Sequence, residues 1–431
     1  MTTPDPTTVD AADPVFISYR QSDGSDITAE LAWLLRAAGI PVWRDRDDLP
    51  PGDTTERLQQ AIDDGLAGGV FVITAEVANS TVVRTVEAPR LLRLHQNHPA
   101  FALGIANNLE RAPGKLDYNA PDNVLALAPE TLSGTDQQPT DRDGLLTLVK
   151  KLLGHRIDYQ RDTVIANGHR LDLSIQTRNV PQVRDRTGHQ LELRVRPSSH
   201  EKLPDSNGLR DLQDTIVYLP DTVTRAGATS VRVHGGAHLT VALALGAAVP
   251  STRIGTMEVV DQFGGTWVGR TGQLDANRPL LNVTGSDTND KAVRTGRPFV
   301  AVYVDLLPER SDDAFDRFLD ENRASMSAWE HLTLRAEGRI NADDADRLSA
   351  EVAHRVRNLA NSNGNAQVHL LLRCPYPMAV LVGRLLNTLR ITAYEWDDSD
   401  PDAGDDYRAR YVPVMRIRPS APQGVIEEVI I

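Results

Sequence analysis

The sequence predicts an α/β protein in two domains, and three observations carry that prediction. Short apolar runs alternate with helical patterns from Val15 to Gly154. The chain of 431 residues is longer than one hydrophobic core usually organises, about 250–300 residues. In the second half, Val231–Asp261 aligns without a gap on Val368–Asp398, which marks an internal duplication.

The first strand is "VFISYR" (Val15–Arg20), followed by a helix with Ile27, Leu31, Leu34 and Leu35 on one face. Gly39 closes that helix and "IPVWRD" opens the second strand. "RDRDDLPPGDTT" is charged and proline-rich, hence a loop, and "ERLQQAIDDGLAGG" returns to helical period through Leu58, Ile62 and Leu66. "VFVIT" (Val70–Thr74) is a third buried strand. Strands and helices alternating through short connections imply a parallel sheet covered on both faces. "VLALAP" (Val124–Pro129) and the helical "DGLLTLVKKLLG" (Asp143–Gly154) complete the first domain.

The second half opens on two alternating segments, "HRLDLSIQTR" and "HQLELRVRP", which suit half-buried strands. "PFVAVYVDLL" (Pro298–Leu307) is uniformly apolar, as in a strand buried on both faces. "NADDADRLSAEVAHRVRNLANSNGN" reads as a helix from Asn341 to the Asn/Gly cluster, with Glu351 and Arg355 one turn apart. "FGGTWVGRTG" (Phe263–Gly272) reads as a turn between strands. The duplicated segments agree at Val231 and Val368, Ala242 and Ala379, Gly246 and Gly383, Arg253 and Arg390, Ile254 and Ile391, Glu258 and Glu395, and Asp261 and Asp398.

Each copy runs strand, small-residue or proline turn, helix ending at Gly, strand, which is a right-handed βαβ unit. Ligands bind such sheets at the carboxyl ends of the strands, here "HGGAH" and "RCPYP". Two copies make a pseudo-twofold cleft suited to a ligand that is itself a ring of repeated units. A duplication without a shared site is the plainer alternative.

Composition removes several classes. The net charge of −13 argues against non-specific binding of nucleic acid polymers, though not against a small nucleotide on a local arginine cluster. No window approaches the roughly 20 apolar residues that span a bilayer. Cys374 is the sole cysteine, so no internal disulfide forms, and a reducing cytoplasm fits. The opening "MTTPDPTTVDAADP" (residues 1–14) lacks a basic and an apolar region and reads as a disordered tail. His234 and His238 are four apart, but the intervening Gly235 and Gly236 disfavour a helical metal pair, and no metal site is expected.

"FVITAEVANSTVVRTVEAPR" (Phe71–Arg90) runs from a buried strand to Glu87, a carboxylate among Val82, Val83 and Val86. A carboxylate buried without a partner is strongly unfavourable, so Glu87 needs water, a cation or a chemical role. Pro89 suits a helical first turn, which predicts Glu87 near a helix amino end, facing the positive end of the dipole. A first-turn acidic residue without further role is the bland reading.

Taken together, "FISYR", "GIPVWRD", "DLPPGD" and "VITAEVANSTVVRTVE" resemble a TIR domain, spanning residues 15–155. That resemblance implies a flavodoxin-like fold. It also implies, for the enzymatic members, cleavage of NAD between nicotinamide and ribose by a glutamate at the position of Glu87. Breaking that bond gives an oxocarbenium-like transition state that one anion can stabilise through the ribose hydroxyls, and nicotinamide leaves without a general acid. Many such domains carry Trp four residues before the glutamate, where this chain has Val83. Phe16, Tyr19 and Trp43 are then candidates to stack the substrate's bases, with a core role equally open for Phe16 and Trp43. Arg20 and Arg44 are candidates for the pyrophosphate, with Asp45 beside them although a solvated loop face is its usual role. In TIR enzymes the loop after the second strand commonly meets a neighbouring TIR domain, so "RDRDDLPPGD" is expected to gate a site completed between subunits.

Residues 156–431 are similar to the SAVED domain, two fused CARF-like Rossmannoid halves that bind a cyclic oligonucleotide. "VHGGAHLTVALALG", "VHLLLRCPYPMAVLVG" and "ITAYEWDD" carry the likeness. It implies a ligand site with Gly235 and Gly236 at the phosphates, Lys202, Arg270 and Arg373 as counter-charges, Tyr376 and Trp396 as stacking rings, and His238 and Pro375 beside them. Surface placement for Lys202 and core placement for Trp396 stay open. A TIR half joined to a SAVED half resembles the effectors of bacterial cyclic-oligonucleotide-based antiphage signalling. The expectation is that a cyclic tri-adenylate-class activator drives head-to-tail oligomerisation, a filament in preference to a ring, and that the assembled sites hydrolyse NAD as substrate without any further cofactor. A non-enzymatic TIR adaptor and a deoxyribosyltransferase-like enzyme are the rival readings.

Overall fold

Apolar runs of four to seven residues become strands buried along their whole length, and these set the frame of both halves. The computed structural model describes residues 9–43, 61–62, 64–178, 188–199, 202–275, 277–288, 299–309, 311–398 and 409–431. The chain divides into two compact units, one of Met1–Ser174, Val180–Arg194 and Asp221–Ala228, the other of Ile175–Asn179, Val195–Pro220 and Thr229–Ile431.

In the first unit β1 (Val15–Ser18), β2 (Val42–Trp43), β3 (Gly68–Ile73), β4 (Ala102–Asn107) and β5 (Asp136–Pro139) lie in the order β2-β1-β3-β4-β5, every pairing parallel. Helix α1 (Gln21–Ala37) stops before Gly39, whose φ of +91° a residue with a Cβ adopts only under strain. Helix α2 (Ala88–Asn97) leads to β4, a strand not anticipated because "ALGIAN" is short and carries a glycine. Helix α3 (Arg142–Ala166) starts at Asp141, whose side chain accepts the Gly144 N–H at 2.8 Å. It runs unbroken through the domain boundary expected between residues 155 and 156.

Arg156 on α3 also revises the expected disordered tail. Its buried guanidinium donates to the carbonyls of Ala12 (2.6 Å), Asp13 (2.8 Å) and Gln190 (2.9 Å), and Val9 packs against the core. Burial lowers its pKa to about 10, with Glu192, Asp10 and Asp13 opposing, so it remains charged at neutral pH. Residues 9–14 are thus bound to the first unit, while residues 1–8 lie outside the described residues. So does the predicted gate, since 44–60 are not described.

Beyond α3 come the two alternating strands β6 (Arg170–Gln176) and β7 (Leu191–Arg194). In the second unit β8 (Ser230–Gly236) pairs parallel with β9 (Thr256–Val260), which pairs antiparallel with β10 (Thr266–Gly269). Helix α4 (Leu239–Ala248) connects β8 to β9. A larger sheet holds β11 (Leu281–Thr288), β12 (Phe299–Asp305), β13 (Met326–Leu334), β14 (Gln367–Arg373), β15 (Ile391–Asp397), β16 (Arg410–Ile417) and β17 (Ile426–Val429), in the order β11-β13-β12-β14-β15-β16-β17. Helix α5 (Ala345–Ser362) is the one expected after Asn341. Glu351 on it accepts from the Leu280 and Leu281 N–H groups, while Arg355 pairs with Glu330. Helix α6 (Tyr376–Gly383) connects β14 to β15, which pair parallel.

The duplication is visible in atomic detail. A Cβ on Gly246 of α4 would overlap the Val380 carbonyl oxygen of α6, and a Cβ on Gly383 of α6 would overlap the Leu243 carbonyl oxygen of α4. Gly246 aligns on Gly383 and Leu243 on Val380, so each contact is the other rotated about a pseudo-twofold axis. Among the described residues no helix is long and apolar enough to cross a membrane.

Candidate functional site

Glu87 sits at the carboxyl edge of the first sheet, where the parallel strands open toward ligands. It is only 6% exposed, and its Oε2 accepts the hydroxyl hydrogen of Ser18, the last residue of β1, at 2.5 Å. It directly precedes α2, with Pro89 in that helix's first turn as expected, but it makes no side-chain cap and the helical run reaches further back. The helical run begins at Thr81, with Ser80 Oγ accepting the Val83 N–H at 3.4 Å, and Val83–Glu87 form a π-turn closed by Ala88 N–H to the Val83 carbonyl. Pro89 has no N–H to give to Thr85 and its ring crowds that carbonyl, so a widened turn accommodates it inside a helix. Glu87 therefore stands within the helical run, and Ser18 takes the place expected of the helix dipole.

The other residues of this edge divide sharply. Phe16 and Trp43, each 4% exposed, lie in one apolar cluster with Val83, Phe71 and Ile105, because β1 and β2 are covered on both faces. Core packing accounts for both rings and for Val83. Tyr19 is also buried, whereas Arg20 is half-buried and its Nε has no hydrogen-bond partner among the described residues. Asp23 ties α1 to the end of β3, accepting from Thr74 Oγ1 (2.8 Å) and the Glu76 N–H (3.1 Å). Arg44 and Asp45 lie outside the described residues.

The second unit contains a cavity of about 770 Å³ at the carboxyl ends of β6, β8, β12 and β14. Gly235, Gly236, Pro375 and Tyr376 line it, so the two turns singled out in the duplicated segments do share one cleft. Gly235 has φ +91°, and a Cβ there would strike the Ile175 carbonyl oxygen. The Tyr376 hydroxyl is buried without a partner among the described residues, and burial raises its pKa, so it stays a donor.

The remaining sequence candidates lie outside the lining. His238 is buried at the start of α4, its N–H donating to Thr177 Oγ1 (2.9 Å) and its Nδ1 2.8 Å from the same hydroxyl. Arg373 is paired with Asp305 at 2.6 Å. Lys202 pairs with Asp398 at 3.3 Å and lies over the Trp396 ring at 5.0 Å, while the Arg270 N–H donates to Asp346. Asp305, Asp312 and His331 bring ligand atoms within 4.8 Å of one another, but Arg373 already neutralises Asp305 there.

The family model of the TIR domain matches residues 15–112, and that described as "SMODS-associated and fused to various effectors sensor domain" (SAVED) matches residues 218–417. The chain joins a TIR domain to a SAVED domain. Over 59 residues it is 44% identical to the NAD(+) hydrolase PdTIR of Paracoccus denitrificans, which is 14% of this chain and 19% of that protein. The chain thus spans about a fifth of the length of the curated relative it matches. Among solved structures it is similar to the Cap4 SAVED/CARF-domain containing receptor of Acinetobacter baumannii with the cyclic trinucleotide 2′3′3′-cAAA, at TM-score 0.45 and 11% identity, covering 91% of this chain and 97% of that one. The corresponding receptor of Moraxella osloensis matches at TM-score 0.40 and 13% identity, covering 92% and 98%.

Within the SAVED cleft, sequence reasoning missed Arg178, Arg339 and Phe263, all exposed and all lining. Arg178 follows β6, whose carboxyl end lies at the same edge as "HGGAH", and that shared edge was the available signal. Arg339 belongs to a loop with no periodicity, and Phe263 to a turn read as a connection only. Neither arginine is in an ion pair among the described residues, and both line the cleft together with the Asp261 carboxylate.

Proposed function

We propose that this protein is a ligand-gated NAD hydrolase: a cyclic oligonucleotide bound by the SAVED domain assembles chains so that their TIR domains cleave NAD. The observation that carries the enzymatic half is Glu87, a buried carboxylate fixed by Ser18 at the ligand-binding edge of a TIR sheet. In the reaction the bond between ribose C1′ and the nicotinamide nitrogen breaks, and nicotinamide departs neutral with the electron pair. The carboxylate stabilises the cationic sugar through its hydroxyls, water adds its oxygen to C1′, and a proton is released with ADP-ribose; a ribose hydroxyl or the adenine attacking instead gives a cyclised product. A site that needs one anion and a leaving group already neutral on departure requires no metal and no second carboxylate.

The sensing half rests on the SAVED cleft, whose volume lies within the ~300–1,000 Å³ range of ligand pockets. Its two exposed arginines suit phosphates and its pseudo-twofold frame suits a cyclic ligand; a cyclic tri-adenylate is the first to try. In this reading the protein is an antiphage effector that depletes NAD when a separate cyclase makes the activator. The test is nicotinamide release by the full chain, with and without a panel of cyclic di- and trinucleotides. Release under one of them, abolished in Glu87→Gln, is the expected result; NAD surviving under all of them favours the adaptor reading instead.

A further inference from the structure

Phe263 is 81% exposed, the most exposed of the large apolar side chains among the described residues. An apolar ring so open to water is normally mobile, but this one is carried by a turn with little freedom. The Asp261 carboxylate accepts from the Phe263 N–H (2.8 Å), the Gly265 N–H (2.8 Å) and Trp267 Nε1 (2.9 Å). The Gly264 N–H donates to the Asp261 carbonyl at 3.0 Å, and the Asp261 N–H to the Gly265 carbonyl at 2.9 Å. Gly264 takes φ +82°, and Trp267 is buried beneath the turn as part of β10. Burial alone would raise the Asp261 pKa, yet its three donors together hold it below the ordinary value, so the turn keeps its anchor at neutral pH.

The ring stands at the wall of the cavity that Arg178, Arg339 and Tyr376 also line. An open aromatic face and two exposed guanidinium groups around one cavity match two parts of a nucleotide: a base to stack and phosphates to neutralise. An apolar partner would leave both arginines unmatched. A simple anion would leave the ring exposed.

Resting on the ligand reading above, we propose that Phe263 is a fixed stacking platform for a base of the cyclic oligonucleotide, with Arg178 and Arg339 at its phosphates. The base that meets Phe263 is then read by ring stacking and not by hydrogen bonds, so this position tolerates any purine. Asp261 acts as a positioning residue, since its carboxylate is engaged by three donors of its own turn and orders that turn.

The experiment uses the full chain and a cyclic trinucleotide carrying 2-aminopurine in place of one adenine. Its fluorescence is quenched when the base stacks, and titration gives Kd. The expected result is quenching by the wild-type protein, about tenfold weaker binding without quenching in Phe263→Ala, and restoration of both in Phe263→Trp. Arg178→Ala and Arg339→Ala are each expected to weaken binding and flatten its salt dependence while quenching at saturation persists. Phe263 is too exposed for its loss to unfold the unit, and unchanged thermal unfolding of Phe263→Ala checks that. If the wild type binds but Phe263→Ala binds and quenches equally well, the platform is overturned and the ligand reading stands. Loss of self-association at unchanged affinity also overturns it, because the ring then packs on a second copy. If no cyclic oligonucleotide binds the wild type, the ligand reading and the platform fall together.

Discussion

Glu395 buries a carboxyl group toward the end of β15. The N–H and the hydroxyl of Thr240, at the start of α4, both donate to the same oxygen, Oε1, at 2.7 Å. Both donors favour the ionised form, while burial favours the neutral one. Burial raises the pKa to about 7, against the opposing pull of those two donors and of Arg178. A carboxyl raised in the folded state binds its proton more tightly there than in the unfolded chain. Its contribution to stability is therefore complete below about pH 4.5 and is lost as pH rises through about 7. Glu395→Gln keeps the carbonyl acceptor and removes the titration. Urea unfolding from pH 5 to 8 is expected to show falling stability in the wild type and a flatter profile in the variant. Legibility differed at this scale. Glu87 stood out because a carboxylate amid valines needs a partner, and Ser18 supplies one. Phe16 and Trp43 could not be told from substrate contacts, since strand-end aromatics look alike until burial is known.

At the scale of elements, α4 and α6 are the clearest product of the duplication. Their crossing brings the backbones so close that Gly246 and Gly383 leave no room for a Cβ, and the obstructing atoms are carbonyl oxygens of the partner helix, which cannot rotate away. Gly246→Ala and Gly383→Ala are each expected to destabilise the second unit by about 1–3 kcal/mol, measured by urea unfolding, and by similar amounts because the two contacts are pseudo-equivalent. The repeat itself was legible as seven aligned identities. The asymmetry between copies was not: Glu395 caps α4 across the duplication, while its counterpart Glu258 pairs with Arg232 on the neighbouring strand at 2.6 Å. Likewise Pro89 signalled a helix boundary by its chemistry. The chain accommodated it with a π-turn, an outcome set by the helical residues before it and not by the proline alone.

For the whole molecule, the account requires that an event in the SAVED domain reach the TIR domain. Assembly supplies that link without a path through one chain, since a ligand that contacts two copies favours the oligomer by mass action. A head-to-tail contact closes into a ring or extends into a filament according to its rotation, and the filament is the form proposed here. Light scattering is expected to rise sharply on adding the activating cyclic oligonucleotide and to continue rising with protein concentration; a plateau at a small closed oligomer would instead indicate a ring. The division into a TIR and a SAVED half was legible because two strand-and-helix patterns and two sets of motifs lie in sequence. Their exact limits were not, because α3 continues past the last recognisable TIR motif.

The central claim is that NAD cleavage depends on ligand bound elsewhere in the chain. Its most direct measurement is the initial rate of nicotinamide release at fixed protein and NAD, with the cyclic oligonucleotide as the sole variable. The account predicts a rate near background without ligand, a rise of at least about a hundredfold at saturation, corresponding to roughly 3 kcal/mol of coupling, and no rise in Glu87→Gln. Equal rates with and without a ligand that demonstrably binds would contradict it.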